Sequence, residues 1–295
     1  MAKLKSLLIS GNGQVGSALH KVFSEKKYPL HGTWFDLQDD SLIFADLRDE
    51  NNLRRVFGTV RPQAVILNAG LTHVDYCEQH PDEAAAVNVR GVLKIARMCD
   101  EYMAKIVFFS SEYIFDGASG PYSESDKTNP LNVYGKQKLE AEEIVANAGL
   151  DWLIVRTTVV YGQDPQGKNF VARLVRSLRQ GETVKVANDQ ISTPTYSADL
   201  AGAVETLVRQ DRRGLYNVAG ADRLSRYDFA ILVCEEFGLD KNLVRSVTTE
   251  ELGQAATRPL SAGLKIDKLK QDTGLSMLGA REGLRRMRKE CDALT

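Results

Sequence analysis

Cysteine is scarce in this chain and never clustered. The four present, Cys77, Cys99, Cys234 and Cys291, lie far apart with no CxxC. That excludes a disulfide framework and a ribbon-type zinc site, and it points to a reduced compartment. No apolar run approaches the ~20 residues of a membrane helix. Charge of one sign is lacking too: 38 Lys+Arg stand against 39 Asp+Glu, a formal net charge of −1. No whole-molecule field therefore gathers nucleic acid or acidic lipid. The start, Met1-Ala-Lys-Leu-Lys5, runs into a strand-like segment without the apolar core and cleavage site of a signal peptide, so a cytoplasmic location is expected. There is no repeat, no low-complexity segment, no GxSxG elbow and no His–Ser–Asp arrangement, which argues against a hydrolase. What is present is 295 residues, 43% of them hydrophobic. That suffices for about two domains, or for one large α/β unit with an appendage.

The first half alternates strand-like and helix-like segments. Short apolar runs at residues 4–10, 30–35, 42–45, 64–69, 105–110 and 152–157 read as strands. Between them, helical spacing of apolar residues predicts helices at 14–27, 49–60, 82–102 and 134–147. Near-continuous apolar strands alternating with helices indicate a doubly wound parallel sheet of Rossmann type, covered on both faces. The pattern loosens after Tyr161, with a polar Gly/Pro loop at 163–168 and helices near 170–179, 198–209, 226–237 and the C-terminus. The expected division is a dinucleotide-binding unit of residues 1–160 plus about 197–219. A smaller substrate-binding lobe takes about 161–196 and 220–295.

Gly11-Asn-Gly13-Gln14-Val15-Gly16 is a GxGxxG placed just after a strand and opening a helix. Such a turn lets backbone N–H groups approach a pyrophosphate. Asp36 lies 20 residues beyond Gly16 near the end of the second strand. A carboxylate there accepts hydrogen bonds from the adenosine ribose and repels a 2′-phosphate, which favours NAD(H). Asp46, closing the third strand, is a candidate for the adenine edge. Tyr134 and Lys138 stand four apart, hence on one helical face. A strand that ends in Ser110-Ser111-Glu112-Tyr113 leaves hydroxyls at the edge where open α/β sheets bind ligands. A tyrosine with a normal pKa of ~10 needs a nearby cation to exchange protons near neutrality, and Lys138 supplies one. Ser111 is placed to hold a carbonyl oxygen. His73, Cys77 and His80 have helical metal-ligand spacing, yet Pro81 ends the segment and no fourth ligand is near, so packing is expected there and no metal.

Together these motifs resemble the extended short-chain dehydrogenases/reductases, and within them the dTDP-4-dehydrorhamnose reductases. The resemblance is carried by Asn68-Ala69-Gly70, Val87-Asn88, Phe109-Ser-Ser-Glu-Tyr-Ile-Phe-Asp-Gly117, Pro121-Tyr-Ser-Glu-Ser-Asp126 and Pro130-Leu-Asn-Val-Tyr-Gly-Lys-Gln-Lys-Leu-Glu140. It continues through Val160-Tyr-Gly162, Asn169-Phe170, Asp189-Gln-Ile-Ser-Thr-Pro-Thr-Tyr196 and Arg258-Pro259. Two departures stand out. The glycine turn is one residue shorter than the usual GxxGxxG, and Ser111-Glu112 replaces a frequent Thr-Asp. The resemblance implies hydride transfer from NADPH or NADH to the C4 ketone of a nucleotide-activated deoxysugar. Tyr134 would be the proton donor, Lys138 would lower its pKa and hold the nicotinamide ribose, and Ser111 would orient the carbonyl. It implies a cofactor cradle of Gly11, Gly13, Gln14, Val15, Gly16, Asp36, Asp46, Leu47, Asn68, Ala69 and Gly70 together with Tyr134 and Lys138. Substrate contacts are expected from Ser111, Glu112, Tyr113, Asn169, Asp189, Gln190 and Arg258. Neither nucleic acid nor membrane is an expected partner, and a homodimer is left open. Two other readings share these residues: a nucleotide-sugar epimerase or dehydratase, and a non-catalytic subunit like the regulatory subunit of methionine adenosyltransferase.

Overall fold

The computed structural model describes residues 3–149 and 151–292. Its first half contains β1 (Ser6–Ile9), α1 (Gln14–Glu25), β2 (Leu30–Trp34), β3 (Ile43–Phe44), α2 (Glu50–Val60) and β4 (Ala64–Leu67). Next come α3 (Val74–Gln79), α4 (Pro81–Asn88), α5 (Arg90–Tyr102), β5 (Lys105–Ser111), α6 (Val133–Ala146) and β6 (Trp152–Thr157). Then follow β7 (Val160–Tyr161), α7 (Phe170–Arg179), β8 (Val184–Ala187), β9 (Ile191–Ser192), β10 (Thr195–Tyr196), α8 (Ser197–Arg209) and β11 (Gly214–Asn217). The chain closes with β12 (Leu224–Ser225), α9 (Arg226–Phe237), β13 (Val244–Val247), α10 (Thr249–Leu252), α11 (Asp267–Thr273) and α12 (Ala280–Asp292).

Seven strands lie side by side in the order β11-β6-β5-β4-β1-β2-β3, and every neighbouring pair is parallel. Strand order reverses between β1 and β4. The crevice beyond the C-terminal ends of these strands is where such sheets bind ligands. β1, β4 and β5 are buried along their whole length, as strands covered on both faces must be. Alternate side chains serve opposite faces. Leu7, Val65, Ile106 and Phe108 pack with Phe57 of α2, Ile95 of α5 and Ala141 of α6. Leu8, Ile66, Val107 and Phe109 pack with Phe23 of α1 and Leu200 and Val204 of α8.

Later segments pair outside this sheet: β8 with β13, β7 with β10, and β9 antiparallel to β12. Their own core gathers Tyr161, Leu174, Val186, Phe229 and Leu284. The single helix expected over 82–102 is two, broken at Val89. The break coincides with two contacts to distant segments. The Asn88 side chain turns inward onto Leu71, and Gly91 runs so close to Leu47 that an added Cβ would lie 2.9 Å from that side chain. Among the described residues no helix is long and apolar enough to cross a membrane.

Candidate active site

The glycine turn sorts its own residues. A Cβ on Gly16 would lie 1.8 Å from the Ser10 carbonyl oxygen, and one on Gly11 3.3 Å from the Gly32 Cα, so both serve the close packing of α1 on the sheet. Gly13 is different: its Cβ would meet only Ser10 Oγ, at 3.3 Å. No other atom lies within 4 Å of that position. Gly13 is also the N-cap of α1, which has no side-chain cap and no acid in its first turn, so the N–H groups of the first turn remain available to an anion. Two buried polar atoms beside this turn lack a hydrogen-bond partner, Gln14 Nε2 and Asn68 Oδ1 at the end of β4. A buried polar atom without a partner is costly, and a dinucleotide laid across the crevice would supply both partners. The residues present therefore fit the cofactor. A Gly13→Val variant should fold normally and bind dinucleotide roughly tenfold or more weakly, a loss near 1.4 kcal/mol. Calorimetric titration checks this, and unchanged affinity would remove the phosphate contact.

The other residues of the expected cradle lie in different surroundings. Val15 and Ala69 are partly buried against the two faces' cores. Leu47 is a core residue under α5. The Asp46 carboxylate is gripped by Arg48 through Nε and Nη2, both at 2.9 Å, and this ion pair holds its pKa below the usual range. Asp36 lies on the surface 3.6 Å from the ammonium of Lys168. The Asn12 side chain donates to the Leu37 carbonyl, which ties the loop after β2 to the glycine turn.

Ser111, Tyr134 and Lys138 come together at the C-terminal end of β5. α6 starts where Asn132 caps it, accepting from Gly135 N at 2.9 Å. Gly135 lets the helix approach the segment after β5, because a Cβ there would fall 2.1 Å from the Tyr113 carbonyl oxygen. Tyr134 is buried and stands edge-on to Tyr113, ring centroids 5.7 Å apart. Lys138 donates to the Phe109 carbonyl at 2.9 Å, and its ammonium lies 6.0 Å from the Tyr134 ring centre. Gly70 abuts this ammonium, its virtual Cβ 3.5 Å away. Burial pushes the Lys138 pKa down to about 8, with Glu142 opposing that fall. Burial also pushes the Tyr134 phenol well above its ordinary value, against a hydrogen bond with Ser111 that pulls the other way. Of the influences on the phenol, burial has the largest effect, and it favours the protonated form.

The expected substrate contacts also hold protein groups: Glu112 and Arg258 join late segments to the first half, and Asp189, Gln190 and Asn169 bond within the late segments. Glu112 is buried and accepts from Ser192 Oγ at 2.6 Å and from Gly263 N at 2.9 Å. Arg258 pairs with Asp75 at 2.8 Å and donates to the Ala256 carbonyl, while Asn132 donates to the Thr257 carbonyl at 2.7 Å. Asp189 accepts from the N–H and hydroxyl of Thr249, and Gln190 donates to Thr249 and Gln254. Asn169 caps α7 and donates to the Gly162 carbonyl. His73 caps α3, and the Cys77 thiol meets the Leu71 carbonyl. Among the described residues no group of His, Cys, Asp and Glu is arranged to hold a metal ion.

One residue missed in the sequence is Arg226, the first of α9. It sits in a narrow pocket with Glu112, Tyr113 and Gln190, its guanidinium 4.9 Å over the Phe170 ring. Burial disfavours its charge while Tyr113 and Glu112 favour it, and Arg173 and Arg258 add positive field. No motif marks it.

Burial also pushes the Glu112 carboxyl up, to about 7, although hydrogen bonds from Ser192 and Gly263 oppose this. A carboxyl raised in the folded state holds its proton there after the unfolded chain has lost its own. Its contribution to stability is fullest below the ordinary value of about 4.5, declines as pH rises toward about 7, and is level above that. Glu112→Gln, fixed neutral, should gain stability relative to the native protein between pH ~5 and pH ~7.5, on the order of 2–3 kcal/mol. Urea midpoints at the two pH values measure it; a parallel pH response in both proteins would show that Glu112 does not carry the effect.

The RmlD substrate binding domain family matches residues 4–293. The spore coat polysaccharide biosynthesis protein SpsK of Bacillus subtilis is 32% identical over 97% of this chain and 97% of its own length. The dTDP-4-dehydrorhamnose reductase of Aggregatibacter actinomycetemcomitans is 32% identical over 96% of this chain and 98% of its own. The dTDP-4-dehydrorhamnose reductase of Bacillus anthracis, solved in complex with NADP, superposes with a TM-score of 0.89 at 30% identity, covering 98% of this chain and all of that one. Glycine turn, buried Ser–Tyr–Lys group and full-length likeness agree: this chain belongs to the RmlD family of extended short-chain dehydrogenases/reductases.

Proposed function

We propose that the protein reduces the C4 ketone of a nucleotide-activated deoxysugar, of the dTDP-4-dehydro-L-rhamnose type, with NADPH or NADH. The observation that carries this reading is the buried Tyr134 beside Ser111 and Lys138 at the end of β5, next to a crevice with unmet polar atoms. When bound, the nicotinamide supplies the hydride. Ser111 holds the carbonyl oxygen, and Tyr134, kept protonated by burial, gives that oxygen its proton as negative charge develops. Lys138 contributes its ammonium to the nicotinamide ribose and to Tyr134 as the phenol loses its proton. The segments from about 161 to 196 and from about 220 onward form the substrate lobe, in which Arg226 offers positive charge to the sugar nucleotide's diphosphate. Use of a reduced nicotinamide agrees with a cytoplasmic location, as do the buried thiols of Cys77, Cys99 and Cys234.

The test is a panel of nucleotide 4-ketosugars with NADPH and NADH, followed by loss of reduced-cofactor absorbance and by product identity. Stoichiometric oxidation with formation of the 4-hydroxysugar is expected. Tight cofactor binding with no ketosugar turned over would instead make the protein a binding subunit. Product formed without net cofactor oxidation would make it an epimerase or dehydratase.

A further inference from the structure

Asp36 does not face the adenosine end of the crevice alone. We propose that Lys168, carried by the loop between β7 and α7, sets cofactor choice by countering Asp36 and recruiting the 2′-phosphate of NADPH. This rests on the nucleotide site described above.

The argument starts from how the loop is built. The Asp164 carboxylate accepts N–H bonds from Gln166 at 3.1 Å, Lys168 at 2.6 Å and Asn169 at 2.9 Å, and Gly167 takes a φ of +62° between them. Asn169 then caps α7 and returns its amide to the Gly162 carbonyl. The backbone of Lys168 is thereby pinned while its side chain stays in water, 72% exposed, with the ammonium 3.6 Å from an Asp36 carboxylate that is itself 55% exposed. A pair so exposed contributes little to stability and opens without stranding a buried charge. The loop's order comes from Asp164; the pair is left over for another use.

Position supplies that use. Asp36 lies two residues past β2, the strand after the glycine turn, and Asn12 of that turn holds the neighbouring Leu37 carbonyl. An acid at this point takes the ribose hydroxyls of NAD(H) and repels a 2′-phosphate, unless a cation stands by. Arg48, the other cation here, lies 4.9 Å over the Phe35 ring and is already matched by Asp46. Lys168 is the cation whose counter-charge is Asp36 itself. A dianionic phosphate outbids a single carboxylate for it, so the ammonium moves to the phosphate with NADPH and stays on Asp36 with NADH. The same device makes one site serve both cofactors.

The experiment is calorimetric binding of NADP⁺ and NAD⁺, without substrate, to the intact protein and to Lys168→Ala, Lys168→Glu and Asp36→Ala. Circular dichroism checks the fold of each. Lys168→Ala should weaken NADP⁺ about tenfold and Lys168→Glu further, with NAD⁺ affinity changed less than about twofold. Asp36→Ala should tighten NADP⁺ and weaken NAD⁺. The salt dependence of NADP⁺ binding should be shallower in Lys168→Ala than in the native protein. Equal losses for both dinucleotides, or none, would overturn the role of Lys168 and leave the nucleotide site standing. Failure of the folded native protein to bind either dinucleotide would overturn the site, and this inference with it.

Discussion

Tyr134→Phe should lower kcat on a nucleotide 4-ketosugar by ~10²–10⁴-fold, the usual worth of a general acid. The substitution removes one buried oxygen and little else. The ring keeps its edge-on contact with Tyr113, and the helix keeps its Asn132 cap. Dinucleotide affinity should therefore stay within about twofold, because Lys138 and the glycine turn are untouched. A phenol held high by burial is a reluctant acid until charge builds on the acceptor oxygen. Its titration should accordingly not limit kcat at or below neutral pH, and any acidic or neutral limb should belong to another group. Steady-state kinetics across pH, with cofactor titration in parallel, measures both points. A near-normal kcat in the variant would take the proton-donor role from Tyr134 and favour a binding subunit.

The second large effect concerns what holds the catalytic helix to the sheet. Glu142 lies two turns beyond Tyr134 and one beyond Lys138 on α6, and it grips Arg156 of β6 through Nε at 2.9 Å and Nη2 at 2.7 Å. Both side chains are nearly sealed, 6% and 5% exposed. Arg156 also reaches the Glu124 carbonyl and the Phe115 ring. Glu142→Ala strands a buried guanidinium and should cost about 3–5 kcal/mol, a large share of a total near 5–15. For a chain of this size the melting temperature should fall by roughly 5–15 °C. A double variant, Glu142→Leu with Arg156→Met, should recover much of the loss, because an apolar pair of similar volume carries no desolvation penalty. Thermal melts of the three proteins decide it. If the single variant melts like the native protein, water reaches Arg156 and the pair is ornamental.

Sequence reading succeeded where a pattern repeats within a few residues. The apolar strands from β1 to β6 announce themselves, as do the glycine turn and the i,i+4 pair of Tyr134 and Lys138. So does the hydroxyl run ending β5, because each is a local pattern with a local cause. The two-residue strands β7, β9, β10 and β12 carry no period to detect. The break at Val89 depends on Asn88 finding Leu71 across a loop, which no helix pattern encodes. Asp46, Asn169, Asp189 and Arg258 were legible as polar residues near the site. Their work as caps and clasps was hidden in partners such as Arg48, Thr249 and Asp75. Arg226, Glu142 and Lys168 carry no local signal for the same reason. Their meaning comes from groups that folding brings to them: the pocket around Tyr113, Arg156 on the far strand, and Asp36 across the crevice.

Those clasps also give the molecule an order of assembly. The last strand of the large sheet ends at Asn217, whereas the carbonyl that receives Asn132, the guanidinium that meets Asp75 and the N–H that meets Glu112 belong to Thr257, Arg258 and Gly263. Chains emerge from the ribosome N-terminus first and fold largely in that order. A nascent chain that has reached Asn217 therefore holds every strand of the large sheet, while its catalytic helix still lacks its outer anchor and β11 still lacks Lys268 and Asp272 of α11. One late stretch finishes both parts: Leu269 of α11 enters the core on one face of the sheet, and Thr257, Arg258 and Gly263 fasten the segments around α6.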